Sequence, residues 1–214
     1  MTQGVSVETA QLQALEWAGR RMRERLPQWA ELAREEQKPP GGDWSTWLYM
    51  AGRGAGKTRA GSEWVHQQVR DGARRIALVG ATAADCRDVM VEGESGLLAT
   101  ASPMDMPLYE PSRRRLTWQS GAIATTYSAE EPDRLRGPQH DAAWCDELAA
   151  WRYGAAWPML LLGLRLGGKP RALVTTTPRP TKLVKELIAQ PTTVVTRGST
   201  YDNRENLAPS FLES

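Results

Sequence analysis

Apolar and polar segments alternate along the chain, and the short apolar runs predict strands while the longer mixed segments predict helices. The predicted strands cover Thr46–Met50, Arg75–Ala81, Ala122–Ser128, Asp141–Cys145, Arg171–Thr176 and Thr192–Thr196. The predicted helices lie between them, at Arg59–Val69, Ala83–Glu92, Tyr153–Leu164 and Lys182–Ala189. This alternation predicts an α/β fold in which helices flank a mostly parallel sheet.

The N-terminal part of the chain has a different pattern. Over Val7–Gln37, apolar residues stand among many charges at Leu12, Leu15, Leu26, Trp29 and Leu32. This spacing predicts one or two amphipathic helices, broken near Pro27, and the Pro- and Gly-rich Lys38–Asp43 predicts a linker. We therefore expect an N-terminal helical segment and linker over residues 1–43, packed on a main domain over residues 44–200.

Composition narrows the class of protein. A chain of 214 residues with 41% hydrophobic content is large enough for one α/β domain. The net charge of +2, from 27 basic and 25 acidic residues, is too balanced to indicate nucleic-acid binding by itself. Cys86 and Cys145 are too few and too far apart for a disulfide framework or a zinc site, and no apolar run has membrane length. We expect a soluble, intracellular protein.

A glycine-rich segment, AGRGAGKT at Ala51–Thr58, lies between a predicted strand and a predicted helix. Consecutive backbone N–H groups turned inward bind anions, and Gly reaches the required conformations without a steric penalty. The segment therefore predicts the phosphate-binding loop of an NTPase, formed by Arg53, Gly54, Ala55, Gly56, Lys57 and Thr58. Ala51 departs from the usual pattern, which has Gly there. The competing interpretation is a flexible turn with a chance Lys-Thr pair.

An acidic pair would complete such a site. Lys57 would reach the β and γ phosphates of ATP, and the Thr58 hydroxyl would hold Mg²⁺. Asp146 follows an apolar run and would lie at the carboxyl end of a buried strand, where ligands bind in such sheets. There it would hold Mg²⁺ through water, with Glu147 as the base. Alternatively, the pair is an acidic turn that caps the next helix.

Positive charge at the transition state is also needed, and arginines provide it in related chemistry. Arg53 lies within the loop and could act in the same subunit. Arg134 and Arg136 lie in the segment PDRLRGPQ, which could reach the site of a neighbouring subunit. For each of these arginines, a solvated surface position is the competing interpretation.

Two further segments are candidates for function. Thr175, Thr176 and Thr177 end an apolar strand with hydroxyl groups that could sense the γ-phosphate, although a simple strand end is the alternative. Arg113, Arg114 and Arg115 precede a predicted turn, so they predict a basic hairpin that contacts DNA phosphates. A solvated run of charge is the competing interpretation of the triplet.

Several segments in this order are highly specific together: WLYMAGRGAGKTRAG, YSAEEPDRLRGPQ, AAWCDELAAW, VTTTPRPT and RGSTYDNRENLAP. They resemble the ATPase domain of the large terminase subunit of tailed bacteriophages, prophages and phage-like gene transfer agents. The resemblance runs from Gln37 to about Ala208. It implies a P-loop NTPase fold of the RecA/ASCE type with an N-terminal helical extension.

The resemblance also implies roles for single residues. Gln37 is similar to an adenine-recognising Gln upstream of the loop, with a solvated helix end as the alternative. Arg53 matches the loop arginine of terminases, and Arg136 is similar in placement to an arginine that related motors insert into the adjacent subunit. Arg134 lies close enough to leave that choice open. The remaining matches are Lys57 and Thr58 for phosphate and Mg²⁺, Asp146 for the metal, Glu147 for catalysis, and Thr175–Thr177 for coupling hydrolysis to movement.

The implied function is an ATP-hydrolysing motor that, as a homo-oligomeric ring docked on the portal protein of a procapsid, translocates double-stranded DNA. The implied partners include the small terminase subunit but no membrane, and the implied location is the cytoplasm of the host bacterium. We expect a monomer with weak ATPase activity in isolation. Members of this family usually continue into a nuclease domain with clustered carboxylates. No such cluster follows Asp146, so we expect residues 201–214 to begin a linker and this chain not to cleave DNA.

Two rival functions stay open from the sequence. The first is a helicase-like or other RecA-like ATPase that remodels nucleic acid, which would separate the strands of a forked duplex. The second is a non-enzymatic docking module with a vestigial phosphate loop, and Ala51 is the residue that favours it. A comparison of nucleotide affinity between the wild type and Lys57→Ala would separate this module from an enzyme.

Overall fold

The structure is a computed structural model, and it describes residues 28–212. Most of the helical segment expected over Val7–Gln37 lies outside the described residues. Within them, helix α1 covers Trp29–Leu32, and a 3₁₀ turn covers Glu35–Gln37. Ala33 and Arg34 between them are extended, so residues 29–37 form two short helical turns rather than one helix.

From Thr46 to Leu212 the structure has eight strands and six α-helices. The strands are β1 Thr46–Ala51, β2 Arg75–Gly80, β3 Leu108–Glu110, β4 Arg115–Thr117, β5 Ile123–Ser128, β6 Ala142–Asp146, β7 Arg171–Thr176 and β8 Thr193–Gly198. The helices are α2 Lys57–Arg70, α3 Ala83–Asp85, α4 Leu97–Thr100, α5 Ala156–Gly163, α6 Lys182–Ala189 and α7 Pro209–Leu212. Among residues 28–212, no helix has the length and apolar character needed to cross a membrane.

All eight strands form one sheet in the order β3-β4-β5-β2-β6-β7-β1-β8. The six strands from β5 to β8 in this order are parallel, whereas β3 and β4 extend the edge in antiparallel pairing. β7 therefore lies between β1 and β6. This arrangement confirms the predicted mostly parallel α/β fold and brings the carboxyl ends of β1, β6 and β7 to one edge of the sheet.

Alternating side chains of the buried strands form two hydrophobic layers, one on each face. In β1, Trp47 and Tyr49 face the layer that contains α2, while Leu48 and Met50 face the layer that contains α5. Because both faces are covered there, β1, β2, β6 and β7 are buried over nearly their whole length and are mostly apolar. A Cβ atom at Gly61 of α2 would collide with the ring of Trp144, so glycine is needed for this helix to approach the sheet.

Local capping explains where two helices begin. The Thr181 hydroxyl accepts a hydrogen bond from the Val184 N–H at 3.3 Å and starts α6. Thr82 caps α3 in the same way, but the helix predicted over Ala83–Glu92 is only partly α-helical. It changes into a π-helical turn over Cys86–Val91.

Candidate phosphate-binding site

The glycine-rich loop connects β1 to α2 and turns through two left-handed glycines. Gly54 has φ 71° and Gly56 has φ 77°, values that residues with side chains rarely adopt. Ala51 is the last residue of β1. The non-glycine residues with positive φ in the range 28–212 are Arg114 and Glu147, so Ala51 has an ordinary backbone conformation. Glycine is therefore not required at position 51, and the departure from the usual pattern does not distort the loop.

The backbone of the loop is oriented for binding an anion. In the described part of the chain, the N–H groups of Gly54, Gly56, Lys57 and Thr58 donate no hydrogen bond to protein. Buried or half-buried donors without partners are uncommon in folded proteins. Gly56 and Thr58 are half-buried and Lys57 is buried, so their three unpaired donors at the N-terminus of a 14-residue helix fit a phosphate group, with the exposed Gly54 N–H beside them.

Lys57 lies at the centre of the site and is buried. Its Nζ donates to the carbonyl oxygens of Ala51 and Gly52, each at 3.0 Å. The same ammonium group lies 3.4 Å from Oε1 of Glu147. Lys57 thus connects the loop to the acidic pair on β6, across the intervening strand.

Asp146 is the last residue of β6 and is buried. Its Oδ1 accepts a hydrogen bond of 2.6 Å from the Thr175 hydroxyl, and that hydroxyl accepts one of 2.9 Å from the indole of Trp144. Burial raises the pKa of Asp146 to about 6, while the bond from Thr175 and the charge of Lys57 act in the opposite direction. A cation beside this carboxylate would favour its charged form.

Glu147 follows in a left-handed conformation with φ 46°. Its Oε2 accepts from the Thr177 N–H at 3.1 Å, and its Oε1 accepts from the Thr177 hydroxyl at 3.0 Å. Thr176 supports the same turn, because its hydroxyl accepts from the N–H of Ala149 at 3.0 Å. All three threonines at the end of β7 therefore contact the segment that carries the acidic pair.

The donor set fits ATP with Mg²⁺. In residues 28–212, no group of three or more His, Cys, Asp or Glu side chains could hold a metal on its own. A metal at Asp146 and Thr58 would therefore take its other ligands from phosphate oxygens and water, which is the coordination that Mg²⁺ prefers in nucleotide sites. Thr58 is half-buried in the first turn of α2, next to Lys57.

Gln37 lies directly against the loop and is buried, which does not match a solvated helix end. Its Nε2 donates to the carbonyl of Gly56 at 3.2 Å, and its Oε1 accepts from the N–H of Arg34 at 3.1 Å. Part of its hydrogen-bonding capacity is therefore used within the protein. Recognition of adenine by Gln37 stays a prediction.

The candidate arginines are not part of the central cluster. Arg53 and Arg136 are exposed, and neither forms an ion pair with another described residue. Arg134 is exposed as well and pairs with Glu131 at 3.2 Å. Arg136 directly follows the 3₁₀ turn Pro132–Leu135. No contact within residues 28–212 joins Arg134 or Arg136 to Lys57 or Glu147, so the catalytic role of these arginines stays a prediction.

The basic triplet precedes and begins β4, in the predicted hairpin with β5. Arg113 and Arg115 pair with Glu110 at 3.2 and 3.0 Å, and Arg114 pairs with Glu131 at 3.3 Å. The charge of the triplet is thus partly compensated by neighbouring carboxylates. DNA contact by these arginines stays a prediction.

Four residues that contact the loop were missed as site residues. Tyr49 and Arg34 donate to the carbonyl of Ala55 at 3.1 and 2.7 Å. Thr200 donates to the carbonyl of Arg53 at 2.8 Å, and Asn203 to that of Gly54 at 2.6 Å. The distinctive segment RGSTYDNRENLAP was a signal for the last two, but nothing in it indicates which group they contact.

A phosphate loop on β1, an acidic pair on β6 and one strand between them define a P-loop NTPase of the ASCE class. Residues 48–213 match the family described as "Terminase large subunit, T4likevirus-type, N-terminal". This match spans more than half of the chain, and the chain belongs to that family. The resemblance found in the sequence is therefore confirmed, and membership supports a role in a DNA-packaging motor. No curated protein sequence matches the chain.

Solved structures with the same fold include three from bacteriophages. The Thermus phage P74-26 large terminase ATPase domain shares 16% identity, with a TM-score of 0.59 over 82% of this chain and 87% of that one. The large terminase of another thermophilic bacteriophage, in complex with ATP-gamma-S, shares 15% identity, with a TM-score of 0.63 over 86% of this chain and 45% of that one. The bacteriophage Phi-29 viral genome packaging motor assembly shares 13% identity, with a TM-score of 0.52 over 80% and 63%. This chain therefore spans less than half of the terminase solved with ATP-gamma-S.

Proposed function

We propose that this chain is the ATP-hydrolysing motor domain of a viral DNA-packaging terminase, which translocates double-stranded DNA into a procapsid. The observation that carries the proposal is the joining of the phosphate loop to the acidic pair through Lys57, which contacts both. Family membership and the fold of packaging-motor proteins support it.

ATP is the proposed substrate. The N–H groups of Gly54, Gly56, Lys57 and Thr58 would hold its phosphates, and Lys57 would leave the loop carbonyls to contact them. A large terminase with the same fold has been solved in complex with ATP-gamma-S, which supports this assignment. Thr58 and Asp146 would hold Mg²⁺, and the bound ion would neutralise charge on the phosphate oxygens.

Glu147 is the proposed base, and its carboxylate would accept a proton from the attacking water. In this structure that carboxylate is held by two bonds from Thr177 and by Lys57. If phosphate drew Lys57 away, Glu147 would lose one of these partners, and its Oε1 would be open to the attacking water. Thr177 would still connect Glu147 to the end of β7.

The threonines at the end of β7 are the proposed coupling segment. Thr175 bonds the metal-binding candidate Asp146, and Thr177 bonds Glu147. A change at either carboxylate would change the hydrogen bonds that hold the carboxyl end of β7. Such discrete rearrangements are how nucleotide sites move distant segments.

Positive charge at the transition state would come from Arg53 in the same subunit or from Arg136 or Arg134 of a neighbour in the ring. The exposure of all three side chains permits either assignment. DNA would be bound through its phosphates, because packaging must tolerate any sequence, and this binding would weaken with salt. The portal protein and the small terminase subunit are proposed partners, and the host cytoplasm is the proposed location.

The whole large terminase has activities that this chain alone need not have. The chain spans less than half of the terminase solved with ATP-gamma-S, so the nuclease activity of related proteins is not assigned to this chain. We propose that residues 44–200 form the ATPase domain, with residues 1–43 packed on it, and that this chain does not cleave DNA. Within residues 201–214, which we expected to begin a linker, Asn203 contacts the phosphate loop.

Steady-state ATP hydrolysis with Mg²⁺ tests the proposal. Glu147→Gln keeps an oxygen that can accept from Thr177 but cannot take a proton, so we expect turnover to fall by about 100-fold or more while ADP binding persists. Glu186→Gln on the exposed side of α6 is the matched control and should leave turnover unchanged. Wild-type turnover that survives in Glu147→Gln would contradict the assignment.

A protein concentration series then locates the arginine. Turnover per subunit that rises with concentration, and is lost in Arg136→Ala, would indicate an arginine supplied by a neighbour. Turnover that is independent of concentration and survives in Arg136→Ala would favour Arg53 in the same subunit.

A further inference from the structure

The phosphate loop is held from outside by two segments that are far apart in the sequence. The first precedes β1 and contributes Arg34 and Gln37, which donate to the carbonyls of Ala55 and Gly56. The second follows β8 and contributes Thr200 and Asn203. Together with Lys57 and Tyr49, these residues give every loop carbonyl from Ala51 to Gly56 a hydrogen-bond donor.

Holding the carbonyls fixes the direction of the N–H groups. In a trans peptide, the C=O of one residue and the N–H of the next point in opposite directions. A carbonyl of Arg53 held outward by Thr200 therefore turns the N–H of Gly54 toward the phosphate side. The carbonyl of Gly54, held by Asn203, belongs to the next peptide, whose Ala55 N–H donates to the Gly52 carbonyl at 3.4 Å, so Asn203 fixes the turn of the loop.

The segment after β8 also fits closely against the loop. A Cβ atom at Gly52 would collide with the Thr200 hydroxyl. A Cβ atom at Gly54 would lie 2.9 Å from Leu207 and 3.3 Å from Phe211, so both apolar side chains lie over the outer face of the loop. A side chain at Gly52 or Gly54 would therefore displace this segment from the loop.

The two holding segments are themselves joined. Nη1 of Arg34 donates to Oδ1 of Asn203 at 3.2 Å, across 169 positions of sequence. Nδ2 of Asn203 remains available for the Gly54 carbonyl. Asn203 thus contacts the loop with one end of its amide and the N-terminal holding segment with the other.

We propose that Thr200 and Asn203 are positioning residues for nucleotide binding: they hold the phosphate loop in its binding conformation through the carbonyls of Arg53 and Gly54. The proposal rests on the proposed function, because it concerns the same nucleotide site. Thr200 bonds the peptide that carries the unpaired Gly54 N–H, and Asn203 bonds the next carbonyl of the loop, so both act through the loop rather than on the phosphate.

The proposal has a reciprocal consequence. If Thr200 and Asn203 favour the loop conformation that binds nucleotide, then bound nucleotide must favour the docked segment by the same factor. Nucleotide binding would therefore stabilise the contacts of the segment that follows β8, Thr200–Asn206, with the phosphate loop. A segment that only covers the loop would not respond.

Two substitutions remove the donors with little change in shape. Thr200→Val deletes the hydroxyl, and Thr200→Ser keeps it. Asn203→Asp keeps Oδ1 for Arg34 but cannot donate to Gly54. Thr193→Val is the matched control, because the buried Thr193 hydroxyl has no partner among residues 28–212.

We expect the Kd for a fluorescent ADP analogue and the KM for ATP to rise by about 5-fold in Thr200→Val, the size of one lost hydrogen bond, and by more in Asn203→Asp, which also brings a negative charge to the Gly54 carbonyl. We expect kcat to stay within about 2-fold in both, because neither residue contacts the reacting atoms. Thr200→Ser should restore wild-type affinity, and Thr193→Val should not alter it. Wild-type affinity in both folded variants would overturn the proposal.

Hydrogen exchange on the wild-type protein gives a test that needs no variant. Added ADP should slow amide exchange over Thr200–Asn206, with Lys182–Ala189 of α6 as the internal reference. No slowing of exchange in that segment would also overturn the proposal. A different result would contradict the proposed function itself: the wild type would not bind ADP, or Lys57→Ala would bind ADP as tightly as the wild type does.

Discussion

Two loops differ in how far contacts within the chain fix their polar groups. One is the phosphate loop. The other, between β5 and β6, carries Arg134 and Arg136 and is called here the arginine loop. Every carbonyl of the phosphate loop has a donor from the same chain. The arginine loop is anchored by Leu135, which is fully buried against the α5 layer. The two arginines that flank Leu135 are nevertheless exposed, and one surface ion pair with Glu131 is their only salt bridge in the described chain.

This difference separates a binding site that one subunit forms by itself from side chains that it leaves exposed for contact with another molecule. A site that must bind a small ligand gains affinity when its groups are positioned before binding. A side chain that must reach another molecule cannot be fixed within its own chain, so a buried anchor with exposed arginines suits contact in a ring. Arg53 in the phosphate loop is exposed as well, so the choice between an arginine in the same subunit and one in trans is a matter for the activity measurements, and the comparison of the two loops is tested here through stability.

Acidification gives the largest change expected in the wild-type protein, because the chain continues from each of the two loops to a buried, neutral histidine. His66 lies in α2, behind the phosphate loop, and its Nε2 lies 3.1 Å from the Leu97 carbonyl. His140 ends the arginine loop and packs edge-on against Tyr127, at 5.5 Å between ring centroids. Burial lowers the pKa of each to about 4.

The sign of the pH effect follows from these values. Unfolded histidine binds a proton near pH 6.5, whereas these folded histidines bind it only near pH 4, so stability falls as pH falls between the two. We expect each to lower the free energy of unfolding by about 2 kcal/mol between pH 7 and pH 5. Urea unfolding of the wild type, His66→Gln and His140→Gln at both pH values measures this. If a variant loses as much free energy of unfolding between pH 7 and pH 5 as the wild type does, then the histidine that it lacks does not cause the loss.

Tyr49→Phe tests how much one donor contributes to the phosphate loop. Burial and the nearby Glu36 raise the pKa of Tyr49 to about 12, so its hydroxyl stays protonated and donates to Ala55. Deleting it should lower the free energy of unfolding by about 1 kcal/mol and weaken ADP binding by up to about 5-fold. Tyr153→Phe, at an exposed position, is the control for thermal unfolding and ADP titration. Equal behaviour of the two variants would show that the hydroxyl does not hold the loop.

Substitutions in the arginine loop should have the smallest effect on the isolated subunit. We expect Arg134→Ala and Arg136→Ala each to change the free energy of unfolding by less than about 0.5 kcal/mol, because both side chains are exposed. Leu135→Ala, between them, should cost about 2–5 kcal/mol and serves as the control for the anchor. A large loss in either arginine variant, measured by urea unfolding, would mean that the arginine serves the fold of its own subunit.

Local pattern determined how much of the fold could be predicted from the sequence. β7 at Arg171–Thr176 and α6 at Lys182–Ala189 have the bounds that the sequence predicted, because an apolar run and a Thr cap are local signals. The π-helical turn Cys86–Val91 was not predicted. Its first residue donates a thiol hydrogen bond to the Tyr127 carbonyl and accepts one from the Gly80 N–H, and the periodicity of the sequence shows neither contact.

Part of the candidate site could likewise be predicted from local pattern, and part of it could not. Lys57, Asp146 and Glu147 were predicted because each follows a strand within a recognisable segment. The contacts from Arg34 and Asn203 could not be predicted, since they depend on two segments 169 positions apart meeting at one loop. The strand order that brings these segments together is a property of the whole sheet.

Glu147 adopts a left-handed backbone conformation, which costs a residue with a side chain roughly 1–2 kcal/mol. A glycine would relieve this cost and would remove the carboxylate at the same time. Selection for a stable fold and selection for a working site therefore favour different residues at position 147. A lineage that no longer needed a carboxylate here would gain stability by changing this residue to glycine.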